Sequence, residues 1–179
     1  MAYPLLTNRL SIEPLSLVDL DAFLSYRRDP EIARFQSWDP TYSKEQAIEL
    51  IESQVGVFIP ESGNWLQLGV HERMSGELLG DLALHSVPNS NATFEIGFTM
   101  ARKHQGQGYA KEAALRLIEL LFAEMGALKI TASCDSRNIA SIKLLSALGF
   151  ENISSEGWTE QFKGELVTVL FFSKSQGIR

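Results

Sequence analysis

A chain of 179 residues with 45% apolar and 21% charged residues suits one domain around one core. A formal net charge of -6 and a pI near 5.1 argue against a nucleic-acid partner, whose binding rests on neutralised phosphates, and suit cationic or amine-bearing partners better. The single cysteine, Cys134, excludes an intrachain disulfide and fits a reducing compartment.

The opening stretch "MAYPLLTNRLSIEPLS" lacks the basic segment and long apolar core of a secretory signal. The most apolar late run, "LVTVLFF" from Leu166 to Phe172, is too short to span a bilayer and reads as a buried strand. These features predict a soluble, cytoplasmic protein with no membrane partner.

"NRLSIEPL" alternates weakly and predicts a first strand near residues 9–14. Ser16 and Asp19 have the spacing of a helix start, and Pro30 stops that helix. Ser43 and Gln46 repeat the signal before an apolar stripe of Ala47, Leu50 and Ile51. Between the two helices fall Phe35, Trp38 and Tyr42, either core or the wall of a ligand entrance. Strands at 64–72 and 76–87 flank "RMSG", a hairpin signal. His71 and His85 read as ordinary strand residues. In the strand over 91–101, Phe94, Ile96, Phe98 and Met100 share one face, and Thr93, Glu95, Gly97 and Thr99 the other.

A glycine-rich turn and an amphipathic helix follow, ending near Gly126. A strand at 128–134 and a helix at 136–150, stopped by Gly149, come next. Two final strands are joined by a polar loop around residues 156–164. The order β-α-α-β-β-β-α-β-α-β-β predicts an α/β (α+β) fold. The strand–helix–strand unit from Ala92 to Cys134 calls for parallel strands and a right-handed crossover. We expect a single domain over 1–179: an N-terminal strand with acceptor-side helices at 5–60, a ligand-binding core at 91–150 and C-terminal strands at 151–179. An exposed strand edge near the C-terminus offers a surface for a homodimer.

The segment "ARKHQGQGYAKEAALRLIELLF" carries the chemistry. A helix N-terminus presents unpaired N–H groups and the positive end of the dipole. With no side chain at Gly106 or Gly108, a diphosphate can approach them, and Arg102, Lys103 and His104 add charge upstream. The residues alone equally allow a tight turn beside a solvated cationic face. No P-loop spacing is present, and the third glycine of a dinucleotide fingerprint is missing, with Lys111 in its place. No His, Cys and carboxylate cluster has metal-ligand spacing, so no metal is expected. Cys134 ends a strand, and no His is placed to activate it as a nucleophile.

"QGQGYA", Gln105 to Ala110, resembles the pyrophosphate signature of the GNAT acyltransferases. "NIASIKLLSALGF", Asn138 to Phe150, resembles the second signature of that superfamily. The opening "TNRLSIEPLSLVDLDAF", the "FQSWDPTYSKEQA" segment and "FEIGFTM" are similar to its ribosomal-protein N-terminal acetyltransferase branch. The likeness spans nearly the whole chain in the same order. It implies a mixed, mostly antiparallel sheet with one parallel strand pair and helices on both faces. It also implies acetyl-CoA as cosubstrate, its pyrophosphate held by main-chain N–H groups of Gln105, Gly106, Gln107, Gly108, Tyr109 and Ala110.

Acetyl transfer to an amine needs a fixed thioester, a base, a donor for the oxyanion and an acid for the leaving thiolate. The resemblance places the thioester along Phe98, Thr99 and Met100, with the N–H of Thr99 or Phe98 as donor to the acetyl oxygen. It offers Glu160 and Glu95 as candidate bases. Many relatives carry a tyrosine acid in or near the helix before Gly149 and Phe150; this chain has none there, and Ser141 is the candidate substitute. Asn138 is expected to bond the pantetheine arm or to cap its helix, and Tyr109 to pack or touch CoA. The implied activity is N-acetylation of a protein N-terminal amine. A small amine acceptor and a silent acyl-CoA-binding module are the alternatives.

Overall fold

A computed structural model describes residues 3–90, 92–154 and 157–177. Nine strands form one sheet in the order β1-β2-β3-β4-β5-β6-β9-β7, with β8 also on β9. The first five are β1 (Leu5–Leu6), β2 (Leu10–Pro14), β3 (Trp65–Glu72), β4 (Leu78–Ser86) and β5 (Thr93–Met100). The others are β6 (Lys129–Asp135), β7 (Glu151–Asn152), β8 (Trp158–Phe162) and β9 (Glu165–Ser175). Every pairing is antiparallel except β5 with β6. The five helices are α1 (Leu20–Arg27), α2 (Pro30–Ala33), α3 (Lys44–Ser53), α4 (Tyr109–Ala123) and α5 (Ile139–Ala147).

The expected mixed sheet with one parallel pair is present. Four local expectations need correction. A short strand, β1, precedes the first expected one. Pro30 does more than stop α1: it opens α2 at the first helical position, with Asp29 as N-cap accepting from the Glu31 N–H at 3.0 Å. At the start of α1, the Asp19 carboxylate accepts from both the Ser16 N–H and hydroxyl, but the first turn, Leu17–Asp19, is a 3-10 helix. The polar segment expected as a loop around 156–164 contains β8, so Glu160 stands on a strand; the reversal is confined to Lys163 and Gly164, both at positive φ.

Two apolar clusters hold the layers together. Leu10, Leu66, Leu82, Ile96, Leu117 and Leu121 belong to the larger, which joins the sheet to α4. Phe23, Tyr26, Ile32, Ala47 and Ile51 form the smaller, under α1, α2 and α3. Helix α3 is closed by the expected box: Ser43 Oγ accepts from the Gln46 N–H at 3.1 Å, and Gln46 Oε1 from the Ser43 N–H at 2.8 Å.

The feature that positions the site is a divergence in the sheet. β5 pairs with β4 along its length, up to Met100 opposite Gly80. It pairs with β6 only over Thr93, Glu95 and the residue between them. β6 then leaves with β9, to which it is bonded from Lys129 to Asp135. A wedge-shaped gap therefore opens between β5 and β6 beyond Glu95.

Candidate active site

Main-chain groups along a strand face alternate neighbours. The Ala101 N–H donates to the Leu79 carbonyl at 2.9 Å, and the Thr93 carbonyl accepts from Val87 at 3.1 Å, so odd-numbered residues of β5 face β4. The even-numbered ones face β6: the Phe94 carbonyl accepts from Thr131 Oγ1 at 3.3 Å. The main-chain groups of Phe98 and Met100 thus point into the gap, while those of Thr99 are turned to β4. This corrects the expectation that Thr99 could supply the N–H donor, and leaves Phe98. The Met100 carbonyl is taken by Gln105 Nε2 at 3.0 Å, which ties the glycine turn to the strand end.

A cavity of about 470 Å³ runs from this gap to the start of α4. Phe98, Thr99 and Met100 line it on the strand side. Gln105, Gly106, Gly108, Tyr109 and Ala110 line it at the turn, and Asn138 and Ser141 from α5. Gln107 is the member of the turn that does not. Phe35, one of the aromatic residues expected at an entrance, closes the cavity beyond α2; sequence reasoning missed Glu31, Ile32 and Gln36 beside it. Of the aromatic trio, only Phe35 belongs to this wall. Trp38 and Tyr42 instead flank the Arg27 guanidinium at 3.8 and 5.1 Å.

The turn fits a diphosphate. Gly106 and Gly108 have φ of +74° and +81°, a region that glycine enters without strain. A Cβ on Gly106 would meet nothing within 4 Å, so the space before it is open. Gly108 is the N-cap of α4 and offers no side-chain cap, so the first N–H groups of the helix are left for a ligand. Lys111 and Lys143 line the cavity from α4 and α5; among the described residues neither has an ion-pair partner. Of the upstream residues, His104 lines the cavity, while Arg102 and Lys103 are engaged elsewhere. Arg102 binds Asp29 and holds that carboxyl below its usual range, and Lys103 pairs with Glu77. Asn138 caps α5, its Oδ1 accepting from the Ser141 N–H at 3.2 Å. That leaves the Asn138 amide group as a donor.

The two candidate bases lie outside the cavity wall, on the sheet face that also carries Asp81. There a chain of contacts crosses six strands. Trp65 stacks on His85 with centroids 4.6 Å apart. His85 Nδ1 is 3.5 Å from Glu95, whose other oxygen accepts from Ser133 Oγ at 3.3 Å. Ser133 stands opposite Phe171, Phe171 meets Trp158 edge-on at 6.3 Å, and the Trp158 indole N–H donates to Glu160 at 3.0 Å. Glu95 and Ser133 therefore sit at the apex of the gap, and Glu160 at the far end of an aromatic row. Trp65, Phe171 and Trp158 are 43%, 38% and 57% exposed, so this row faces solvent.

The neighbouring helices are anchored by polar contacts. Lys163 Nζ, at the β8–β9 turn, donates to the Ala33 carbonyl at 2.8 Å and to the Trp38 carbonyl. Arg137 bridges Asp135 and Glu165, both at 2.7 Å. Under α1, the Tyr26 hydroxyl donates to Asp81 at 2.6 Å, with Arg27 3.9 Å away. Burial pushes the Asp81 carboxyl up despite Arg27 and Tyr26. His71, expected to be an ordinary strand residue, instead meets Asp19 at 2.8 Å. Burial opposes its charge, but the Asp19 hydrogen bond and charge outweigh burial and raise its pKa. Cys134 is half-buried, and burial, with Asp135 beside it, pushes its thiol up to about 11. It is no nucleophile at neutral pH. Among the described residues no group of three metal-ligating side chains is found. Among the same residues no helix is long and apolar enough to cross a membrane.

A strand pair that parts over a cavity, met by an uncapped glycine-led helix, defines a site for an acyl carrier with a phosphate-bearing arm. Residues 9–151 match the acetyltransferase (GNAT) domain, and the chain belongs to that family. It is an acetyl-CoA-dependent N-acetyltransferase. It is 30% identical to the uncharacterized N-acetyltransferase p20 of Bacillus licheniformis, over 94% of each chain. Its fold is similar to a spermidine N-acetyltransferase from Vibrio cholerae solved with CoA and spermine (TM-score 0.80, 19% identity, 95% and 97% of the two chains). It is also similar to RimL, a ribosomal alpha-N-protein acetyltransferase solved with coenzyme A (TM-score 0.80, 15% identity, 94% and 95% of the two chains).

Proposed function

We propose that the chain acetylates the N-terminal amine of a protein, which approaches on the sheet face opposite α4. The observation that carries this reading is the open row from Glu95 to Glu160. From β5 across β6 and β9 to β8 it covers three strand spacings, about 14 Å. That matches the first few residues of an extended chain whose amine lies at the gap. The aromatic faces of Phe171 and Trp158 and the carboxylates of Glu95 and Glu160 suit an amine-bearing strand.

Acetyl-CoA supplies the activated acyl group as a thioester. The Phe98 N–H, aimed into the gap, is placed to receive charge that builds on the acetyl oxygen. Glu95, at the apex of the gap beside the amine, takes the proton from the incoming ammonium; Glu160, one oxygen held by Trp158 at the far end of the row, is the second carboxylate that receives the acceptor. Ser141, on the cavity wall, is the proton donor for the departing sulfur. The Asn138 amide and the turn N–H groups from Gln105 to Ala110 hold the carrier in place. The spermidine-acetylating neighbour supports a second reading, a small polyamine lying on the same row.

The test is thiol release from acetyl-CoA with peptides beginning in Ser, Ala, Thr or Met, beside polyamines, amino acids and aminoglycosides. Turnover on one or two peptides supports the protein acceptor, and turnover on polyamines alone replaces it with the second reading. Glu95→Gln should lower kcat by about 100-fold and change its pH profile, with CoA affinity kept. If Glu160→Gln takes that loss instead, the base is Glu160 and the amine lies at the other end of the row.

A further inference from the structure

Arg9, on the strand side of the "TNRL" segment just before β2, reaches behind the glycine turn. Its Nη1 donates to the Gln107 carbonyl at 3.1 Å. Its Nε and Nη2 hold Glu112 Oε2 at 2.7 and 2.6 Å. The other Glu112 oxygen accepts from the Thr7 hydroxyl at 2.6 Å and from the Arg9 N–H at 3.1 Å. The guanidinium also lies over the Tyr109 ring, 4.5 Å from its centroid. Thus one side chain grips the turn, the first residue of α4 and the first turn of that helix.

The Gln107 carbonyl and the Gly108 N–H belong to one peptide plane and point opposite ways. With the carbonyl drawn to Arg9, the N–H is turned from Arg9. Gly108 and Tyr109 line the cavity and Arg9 does not, so that N–H is turned to the cavity. Glycine cannot hold this orientation itself, because it rotates through both signs of φ at little cost. Gln105 and Gln107 anchor the turn through their side chains, on the Met100 and Lys103 carbonyls; the contact on the Gln107 carbonyl itself comes from Arg9.

We propose that Arg9 is a positioning residue for the phosphate turn: it locks the Gln107–Gly108 peptide with its N–H facing the cavity. The role rests on the reading of this cavity as the CoA site. Without Arg9 the peptide is free to flip. A flip would replace a donor with a carbonyl oxygen that repels the diphosphate.

Calorimetry with CoA and amide spectra of the 15N-labelled protein test the role. Arg9→Met should weaken CoA binding about tenfold, the scale of one lost charge-assisted hydrogen bond. The Gly108 amide resonance, which should move strongly when CoA binds the wild type, should move little in the variant. Arg9→Lys should recover part of both effects. Arg9→Met combined with Glu112→Leu leaves no lone carboxylate and guards against misfolding; it should reproduce the single variant. Wild-type affinity and an unchanged Gly108 shift in these variants would overturn the role alone. Failure of the wild type to bind CoA would overturn the cavity assignment and the role together.

Discussion

The proposed donor side and the proposed acceptor side of this sheet are built by different means. The donor side is made from main chain. It uses the gap beyond Glu95, the positive-φ glycines and the uncapped start of α4, all within one stretch from β5 to the first turn of α5. The acceptor side is made from side chains that meet across long sequence separations. Arg102 holds Asp29, Lys163 holds the end of α2, Tyr26 holds Asp81 and Asp19 holds His71. The donor proposed for the main-chain site, a diphosphate with its thioester arm, is one invariant chemical group. A side-chain site can be rebuilt for a new acceptor while a main-chain site stays intact.

Substitutions that strike one side only can break this contrast. The largest effect is expected at Asp81, which is 2% exposed. Asp81→Ala strips the partner from the Tyr26 hydroxyl and from Arg27, and should cost about 3 kcal/mol of stability in urea unfolding. Its folded form should still bind CoA; a loss of CoA affinity in that form would mean the two sides are coupled. Gly108→Val puts a β-branched residue at φ +81° and a Cβ 3.5 Å from Arg9 Nη2. CoA affinity should fall about 100-fold, from strain and blocked approach together. Unchanged affinity would remove the pyrophosphate from this turn.

A smaller effect is expected at the β8–β9 turn. Lys163→Met frees the hairpin from the Ala33 and Trp38 carbonyls, and should raise KM for the acceptor by roughly three- to tenfold through lost positioning. CoA affinity measured by calorimetry should stay at the wild-type value. The smallest effect is a pH dependence. His71 is raised above 6.5 in the fold, so its stabilisation is complete below that value and is lost as pH rises through the folded pKa. Burial also works against the Asp19 charge, but its hydrogen bonds to His71 and Ser16 win and lower its pKa. Its contribution is therefore present above 3.8 and lost as pH falls through the lowered value. The pair stabilises most between those limits. The melting temperature of the wild type should decline as pH rises from 6.5 through the raised folded pKa of His71, and His71→Gln should flatten that decline. An equal slope in both proteins would show that other groups set it.

The glycine turn and the caps beside it were legible because their signals are local. Gln105 through Ala110 and the Asn138 cap depend on neighbours a few residues away, so order and spacing reveal them. The charge around the turn was misread. Arg102 and Lys103 precede the glycines in sequence, yet ion pairs draw both away. Arg9, about a hundred residues earlier, is the cation that reaches the turn. Its only signal was its place in the "TNRL" segment, which resembles the family without showing which way a guanidinium points. The strand β8 was hidden because its polar residues form an edge hairpin with β9, where alternation against a core is weak.

By itself the sequence determined the class of fold, the order of its longer elements and the glycine-led helix, since hydrophobic period, capping residues and glycine conformations act over a few residues. Only the tertiary structure decided that β5 and β6 part after Glu95, that Phe98 and not Thr99 faces the gap, and that Glu95 and Glu160 share one row. Those facts follow from strand register and from which strand each neighbour leaves with. Both are settled by long-range pairing energies that no short stretch of chain contains.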